Sequence, residues 1–193
     1  MELKPGLVQA HYNKGILLSD LNRHNEALES YERAIGLKPD YAEAYSNKGL
    51  ILMTLNRYDE ALQCYEQAIE SKSDLVQAHY NKGDTLCALN RYTEALESYE
   101  RTIELKSDHV ECHFKQGLLL ADFNRHGEAL KSYEKAIELK PDYAEARLEK
   151  ERTQEKIRLL NEDASENAEI DYQYFDQDDN TESLGDSGIN DVD

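Results

Sequence analysis

Cysteine is scarce: Cys64, Cys87 and Cys112 are the only three in 193 residues. Their number is odd, their spacing is wide and no CxxC pair is present, which argues against a disulfide framework or a thiolate zinc site. They read as buried or half-buried thiols. No apolar run approaches the roughly 18 residues that a membrane helix needs, so no membrane partner is expected. Positive charge is also in short supply, with 22 Lys and Arg against 40 Asp and Glu and a net charge of -18. Nucleic acid is therefore not an expected partner, because its phosphates are held by clustered Lys and Arg. The start, Met1-Glu2-Leu3-Lys4-Pro5, has no basic region leading into an apolar stretch, so no secretory signal is read and a cytoplasmic location is expected. A phosphate-binding glycine loop, a nucleophile elbow and an HExxH pair are missing too, and the expectation is a protein that is not an enzyme, with no catalytic residue and no cofactor.

One metal candidate is His109-Val110-Glu111-Cys112-His113, whose histidines lie four apart and could share a helix face. It lacks a convincing third ligand, and no metal is expected there.

What the chain has instead is an internal period. Glycine recurs at Gly15, Gly49, Gly83 and Gly117, alanine at Ala27, Ala61, Ala95 and Ala129, and tyrosine at Tyr31, Tyr65, Tyr99 and Tyr133, each series at a spacing of 34. Such a period marks stacked supersecondary units. The units run 8–41, 42–75, 76–109 and 110–143 without insertions. In unit two, Ala44, Tyr45, Gly49, Leu52 and Leu55 follow helical spacing, and so do Ala61, Leu62, Tyr65, Ala68 and Ile69. Each unit is thus two helices, and the fold class is all-α: a solenoid of antiparallel helix pairs.

Local signals mark the helix ends. Asp40, Asp74, Asp108 and Asp142 each precede a Glu or Gln by three residues, which predicts a capping box at the start of each first helix after the opening one. Between the helices of each pair stand Asn22-Arg23, Asn56-Arg57, Asn90-Arg91 and Asn124-Arg125. After glycine, asparagine best tolerates the left-handed conformation that ends a helix, so positive φ is expected at all four asparagines. The periodic glycines call for a packing reason, because Gly inside a helix costs about 1 kcal/mol relative to Ala. Close approach of the two helices supplies one: Gly49 is expected to face a small residue such as Ala61, with Tyr65 filling the space beside them.

Glycine at the eighth position of the unit, alanine at the twentieth, an aromatic at the twenty-fourth, alanine at the twenty-seventh and proline at the thirty-second together resemble the tetratricopeptide repeat over residues 8–143. Thr102 replaces one small residue, Ser73 and Ser107 replace proline, and His11, His79 and His113 stand where the family prefers a large aromatic. The resemblance implies a right-handed superhelix with a concave groove lined mainly by the first helices. On a 100° wheel, the second, fifth, ninth, twelfth and thirteenth positions share one face, and the resemblance identifies that face as the groove. Tyr12, Ile16, Leu50, Met53, Tyr80, Phe114 and Leu118 supply its apolar area, while Asp20, Glu43, Asp84, Glu111 and Asp122 supply acid.

This mixture suits a protein or peptide partner that is partly apolar and basic. At the edge stand Asn13, Asn47 and Asn81, with Lys115 in the fourth unit, and stacked amides of this kind hydrogen-bond a peptide backbone regardless of its sequence. Lys14, Lys48 and Lys82 beside them are expected to pack their stems and send their ammonium groups outward. The family's clamp for chaperone C-terminal carboxylates needs Lys and Asn, then Asn, then Lys and Arg. Here Tyr12 and Ile16, Asn47, and Gln77 and Asn81 occupy those places, so that ligand is not expected. The resemblance implies a protein-interaction scaffold or adaptor. The alternative is a targeting domain of a larger enzyme such as a glycosyltransferase.

Residues 1–7 read as the remnant of a preceding repeat, since Glu2 to Gly6 match Glu138 to Asp142 at the end of unit four, and the open N-terminal face is a candidate surface for self-association. Residues 144–161 begin like a fifth unit, but Glu151 stands in the glycine's place, and a capping helix is expected. Residues 162–193 hold twelve Asp or Glu and no Lys or Arg, the composition of a disordered acidic tail. Its aromatic island, Ile170 to Asp176, is either part of a solvated tail or a short recognition segment.

Overall fold

The computed structural model describes residues 5–179, with side chains placed for residues 6–165. Among the described residues there are nine helices and no strand. Four pairs follow the predicted units: α1 (Pro5–Asp20) with α2 (His24–Leu37), α3 (Ala42–Thr54) with α4 (Tyr58–Ser71), α5 (Val76–Ala88) with α6 (Tyr92–Leu105), and α7 (Val110–Asp122) with α8 (His126–Leu139). A last helix, α9 (Ala144–Asp179), packs on α8. Each helix packs on its neighbours in sequence, and the first helices also touch one another, α1 to α3, α3 to α5 and α7 to α9. That inner contact makes the first helices the tighter layer of the stack, and so its concave side.

The core is the periodic set itself. Ala27, Ala61, Ala95 and Ala129 are fully buried, and so, to within 2%, are Tyr31, Tyr65, Tyr99 and Tyr133. The atoms nearest each periodic glycine belong to the tyrosine expected to fill the space beside it. A Cβ placed on Gly15, Gly49, Gly83 or Gly117 would lie 2.6, 2.8, 2.6 or 2.5 Å from Cε1 of Tyr31, Tyr65, Tyr99 or Tyr133. The ring of each second helix lies flat against the bare backbone of its partner. Thr102, in the alanine's place, is fully buried and donates its hydroxyl to the Ser98 carbonyl at 2.9 Å, so it leaves no polar group unmet.

The four turn asparagines have φ of 55°, 57°, 59° and 58°, as the Asn-Arg pairs predict. The arginines after them do more than the sequence reading assigned. Each stands at the N-cap of a second helix, and its guanidinium forks onto the carboxylate three residues on: Arg23 on Glu26, Arg57 on Glu60, Arg91 on Glu94 and Arg125 on Glu128, at 2.5–2.7 Å. The hydrogen bonds from each arginine hold its glutamate below the usual carboxylate range.

Two expectations are corrected. The aspartates do not cap the first helices: the N-caps of α3, α5 and α7 are Tyr41, Leu75 and His109, one residue later, and of these only His109 makes a side-chain cap bond. The reason is a turn that reaches back: the amides of Tyr41, Leu75, His109 and Tyr143 bond to the carbonyls of Lys38, Lys72, Lys106 and Lys140, which places each aspartate inside the turn. The second correction concerns the C-terminal boundary. α9 continues past residue 161 to Asp179, across the first part of the segment expected to be disordered. No Gly or Pro stands between Pro141 and Gly185 to stop it. The remainder of the expected tail, and residues 1–4 of the expected remnant, lie outside the described residues.

The buried tyrosines give the fold a pH signature. Burial first, and neighbouring acidic groups after it, push Tyr31 and Tyr133 up to about 12, and burial raises Tyr65 and Tyr99 as well. An unfolded tyrosine ionises near 10, so between the two values the folded state holds protons that the unfolded state has lost, and stability falls as pH rises. The melting temperature is expected to be insensitive to these groups below pH ~10 and to drop toward pH ~12. The last tyrosinate absorbance should appear together with the loss of helical circular dichroism. Complete ionisation of all thirteen tyrosines with helix content intact would refute the buried ladder.

Candidate functional site

The concave layer is not smooth. A recess of 550 Å³ lies at the centre of the array, between Met53 of α3, Asp84 and Cys87 of α5, and Leu118 and Asp122 of α7. Tyr58 and Tyr92, the first residues of α4 and α6, also line it. A smaller one of 190 Å³ lies between α1 and α3, lined by Ile16, Asp20, Asn47 and Leu50. Of the residues expected in the groove, Met53, Asp84 and Leu118 thus meet in one recess, and Ile16, Asn47 and Leu50 in the other.

The three expected aromatics are committed elsewhere. Each leans on the residue that caps the next unit: Tyr12 on Tyr41 with ring centroids 4.9 Å apart, Tyr80 on His109 at 4.7 Å and Phe114 on Tyr143 at 5.0 Å. They stand half-buried between units, where such pairs contribute about 0.5–1.5 kcal/mol beyond their burial. The asparagines likewise do not form a row of equivalent amides. Asn13 is exposed and accepts from Gln9 at 2.8 Å, Asn47 donates to the Tyr12 hydroxyl at 3.1 Å, and Asn81 is buried and accepts from Gln77 at 2.8 Å. The neighbouring lysines follow a rule of their own: Lys48 reaches Glu32 at 2.9 Å and Lys82 reaches Glu66 at 3.2 Å, so each ammonium bridges to the preceding second helix.

An ion pair lies at the heart of the central recess. Lys115 donates to both oxygens of Asp84 at 2.7 Å, and the Tyr99 hydroxyl donates to Oδ1 at 2.6 Å. Asp84 is mostly shielded, its side chain 17% exposed, while Lys115 keeps 36% of its surface and lies 4.9 Å from the Tyr80 ring centroid. Burial alone would lower the lysine, yet its bonds to Asp84 and Tyr80 outweigh that cost and raise it. Burial and the adjacent Asp84 carboxylate push Tyr99 far up, which keeps it a hydrogen donor. Burial likewise raises the Cys87 thiol, whose Sγ lies 3.6 Å from the Tyr99 hydroxyl. The recess is therefore an apolar hollow floored by an internally neutralised pair, with Asp122 exposed at its rim.

Tyr58, Tyr92 and Cys87 were not legible as groove residues from a wheel of the first helices, because two of them come from the second helices. A signal did exist: both tyrosines directly follow the Asn-Arg turn and stand 34 apart. Each donates its hydroxyl to the turn asparagine, Tyr58 to Asn56 and Tyr92 to Asn90, at 2.6 Å. In the metal candidate, the His109 Nδ1 accepts from the Cys112 amide at 3.2 Å and the His113 Nε2 pairs with the Ser107 carbonyl at 2.9 Å. Both imidazoles hold helix α7 in place, and among the described residues no three ligating side chains converge on one point. No described helix is long and apolar enough to cross a membrane.

Among curated proteins none matches this chain. Solved structures do. YrrB, described as a TPR protein with an unusual peptide-binding site, is 28% identical, with 77% of this chain and 76% of that one aligned at a TM-score of 0.69. A structure of MamA is 25% identical over 74% of this chain and 83% of its own, at 0.68. A second MamA structure, 16% identical, covers 95% of this chain and 98% of its own at 0.74, a likeness of fold alone. The sequence pattern named Tetratricopeptide repeat matches residues 12–76, 49–110 and 80–144. Those matches span the same units as the Gly-Tyr ladder, the asparagine turns and the paired helices. The chain belongs to the tetratricopeptide repeat family.

Proposed function

We propose that this protein is a scaffold whose concave groove holds a peptide segment of a partner protein, with an apolar side chain of that segment seated in the central recess. The repeat fold is that of protein-interaction scaffolds, and YrrB carries a peptide-binding site by its description. The observation that carries the reading for this chain is the preformed hollow itself. It is mostly apolar, it is open along the shared face of the first helices, and its one buried ion pair is already satisfied from within. Preformed concave sites with few polar groups are where ligands bind, since little ordering remains to be done on association. Asp122 at its rim and Asp20 in the neighbouring recess favour a basic residue flanking the apolar anchor. The missing clamp residues, Tyr12 and Ile16 where Lys and Asn would stand, speak for an internal segment rather than a chain-terminal carboxylate.

Selection of random peptides displayed on phage against the full chain tests this. Enrichment of an apolar residue next to Lys or Arg is expected, and Leu118→Lys should weaken the selected peptides by about tenfold or more, the cost of a lost anchor contact. A pool unchanged by Leu118→Lys would remove the central recess from the binding site.

A further inference from the structure

The groove repeats itself. The residues that line the recess between α1 and α3 each lie two repeats, or 68 positions, before a residue of the central recess: Ile16 corresponds to Asp84, Asp20 to Ala88, Asn47 to Lys115 and Leu50 to Leu118. The two hollows are one site occurring twice along the same face. Helix α3 joins them, since Asn47 and Leu50 line the first recess and Met53, one turn on, lines the central one. A segment seated in the central recess thus has a second hollow within reach.

The two copies differ in charge. In the central recess the Asp84 carboxylate is neutralised by Lys115. In the first, Ile16 and Asn47 take those places, and the charge sits instead at Asp20, where the central recess has Ala88. Asp20 is exposed and pairs with no cation among the described residues; Arg23, the nearest in sequence, is committed to Glu26. It is also the last residue of α1, the end at which the helix dipole disfavours a negative charge and favours a positive one. The corresponding ends of α3 and α5 carry the neutral Thr54 and Ala88. The Asp20 carboxylate therefore does nothing for its own helix, while a cation brought to it is attracted by the carboxylate and by the helix end together.

The walls say which cation fits. Ile16 and Leu50 are apolar, and a Lys or Arg lays its stem along such surface and keeps its charged head at the rim. The other end of the groove does not suit that residue. A third recess, 160 Å³, where α8 meets α9, brings Arg152 and Lys156 beside Asp122 and His126. Packed helices stand about 10 Å apart, so Leu50 on α3 and its counterpart Leu118 on α7, two first helices on, are separated by about 20 Å. About six residues of extended chain cover that span. We propose that the recess between α1 and α3 is a second subsite that takes a Lys or Arg of the bound segment, about six residues of extended chain from the apolar residue in the central recess. The inference rests on the reading of the groove given under the proposed function, and it separates a distant basic residue, held at Asp20, from a basic residue next to the anchor, at Asp122.

The test compares the pools selected by the full chain and by its Asp20→Asn variant from random peptides long enough to span both recesses. The wild type should enrich Lys or Arg about six residues from the apolar anchor. Asp20→Asn removes a charge from an exposed helix end and should melt no lower than the wild type, yet its pool should lose the distant basic residue while keeping the apolar one. On the wild-type protein, changing the distant Lys or Arg of a selected peptide to Gln should weaken it about threefold or more, and by less at high salt. On Asp20→Asn the same change should have no effect. An apolar anchor without a distant basic residue, or a distant basic preference that survives Asp20→Asn, overturns the subsite and leaves the groove reading intact. Absence of any enrichment overturns both.

Discussion

Gly83→Leu is expected to destabilise the fold by about 1–3 kcal/mol or more, a fall of roughly 2–12 °C in melting temperature. The first atom beyond hydrogen is already too much: a Cβ on Gly83 would lie 2.6, 2.8 and 3.1 Å from three carbons of the Tyr99 ring. That ring has little freedom to retreat. It is 1% exposed, packs in the same buried cluster as Leu86, Cys112 and Leu119, and is tied through its hydroxyl to Asp84. The helices must therefore separate or the ring must leave its rotamer, and either opens the core that the repeat is built around. Gly36 and Gly127 provide the control, because a Cβ on either meets nothing within 4 Å. Gly36→Ala in α2 should be neutral or stabilising by up to about 1 kcal/mol, the helix-propensity gain alone. Equal melting shifts for Gly83→Leu and Gly36→Ala would remove the glycine-tyrosine contact from the account of the fold.

The second large effect is expected at Asp84. Asp84→Ala leaves the Lys115 ammonium and the Tyr99 hydroxyl, at 2.7 and 2.6 Å, without their acceptor. Breaking a fully buried pair from one side typically costs 3–5 kcal/mol. Here about 1–2 kcal/mol is expected, because Lys115 is partly solvated and can turn outward. Without the carboxylate the Lys115 charge at the mouth of the recess is uncompensated even when it turns outward, and peptides carrying a basic residue beside the apolar anchor should bind more weakly, by about tenfold. The double variant Asp84→Leu with Lys115→Met should recover much of the stability, since replacing both members of a pair by apolar groups removes the unmet charge. Single losses that simply add in the double variant would show that the two side chains do not act as a pair.

The pattern of what the sequence made legible has a physical basis. The units, the helix pairs and the positive φ at Asn22, Asn56, Asn90 and Asn124 were legible because each depends on a single residue type at a fixed place, repeated four times. Periodicity named the tyrosine beside each glycine but not how closely its ring lies against the bare backbone. The aspartates were taken for helix caps because an Asp three before a Glu has the same spacing in a capping box as in the turn that places it one residue too early. The reach of α9 was underestimated because acidic composition says little about backbone state where no Gly or Pro intervenes. The wheel put Met53, Asp84 and Leu118 on one face, and these three line one recess, since residues on one helix face stay together whatever packs around them. It could not tell that Tyr12, Tyr80 and Phe114 are taken up by the next unit. Nor could it bring Tyr58, Tyr92 and His126 in from the second helices, because that depends on how the pairs close against one another.

The central claim, that partners are held in the concave groove, is tested most directly by photo-crosslinking in cells. A benzophenone amino acid is placed either at Ala88, which lines the central recess and is exposed, or at Gln63, an exposed position on α4 that lines none of the three recesses. The groove account predicts that the probe at position 88 captures a partner through an internal peptide segment and that the probe at position 63 does not. Capture from position 63 with none from position 88 would contradict it.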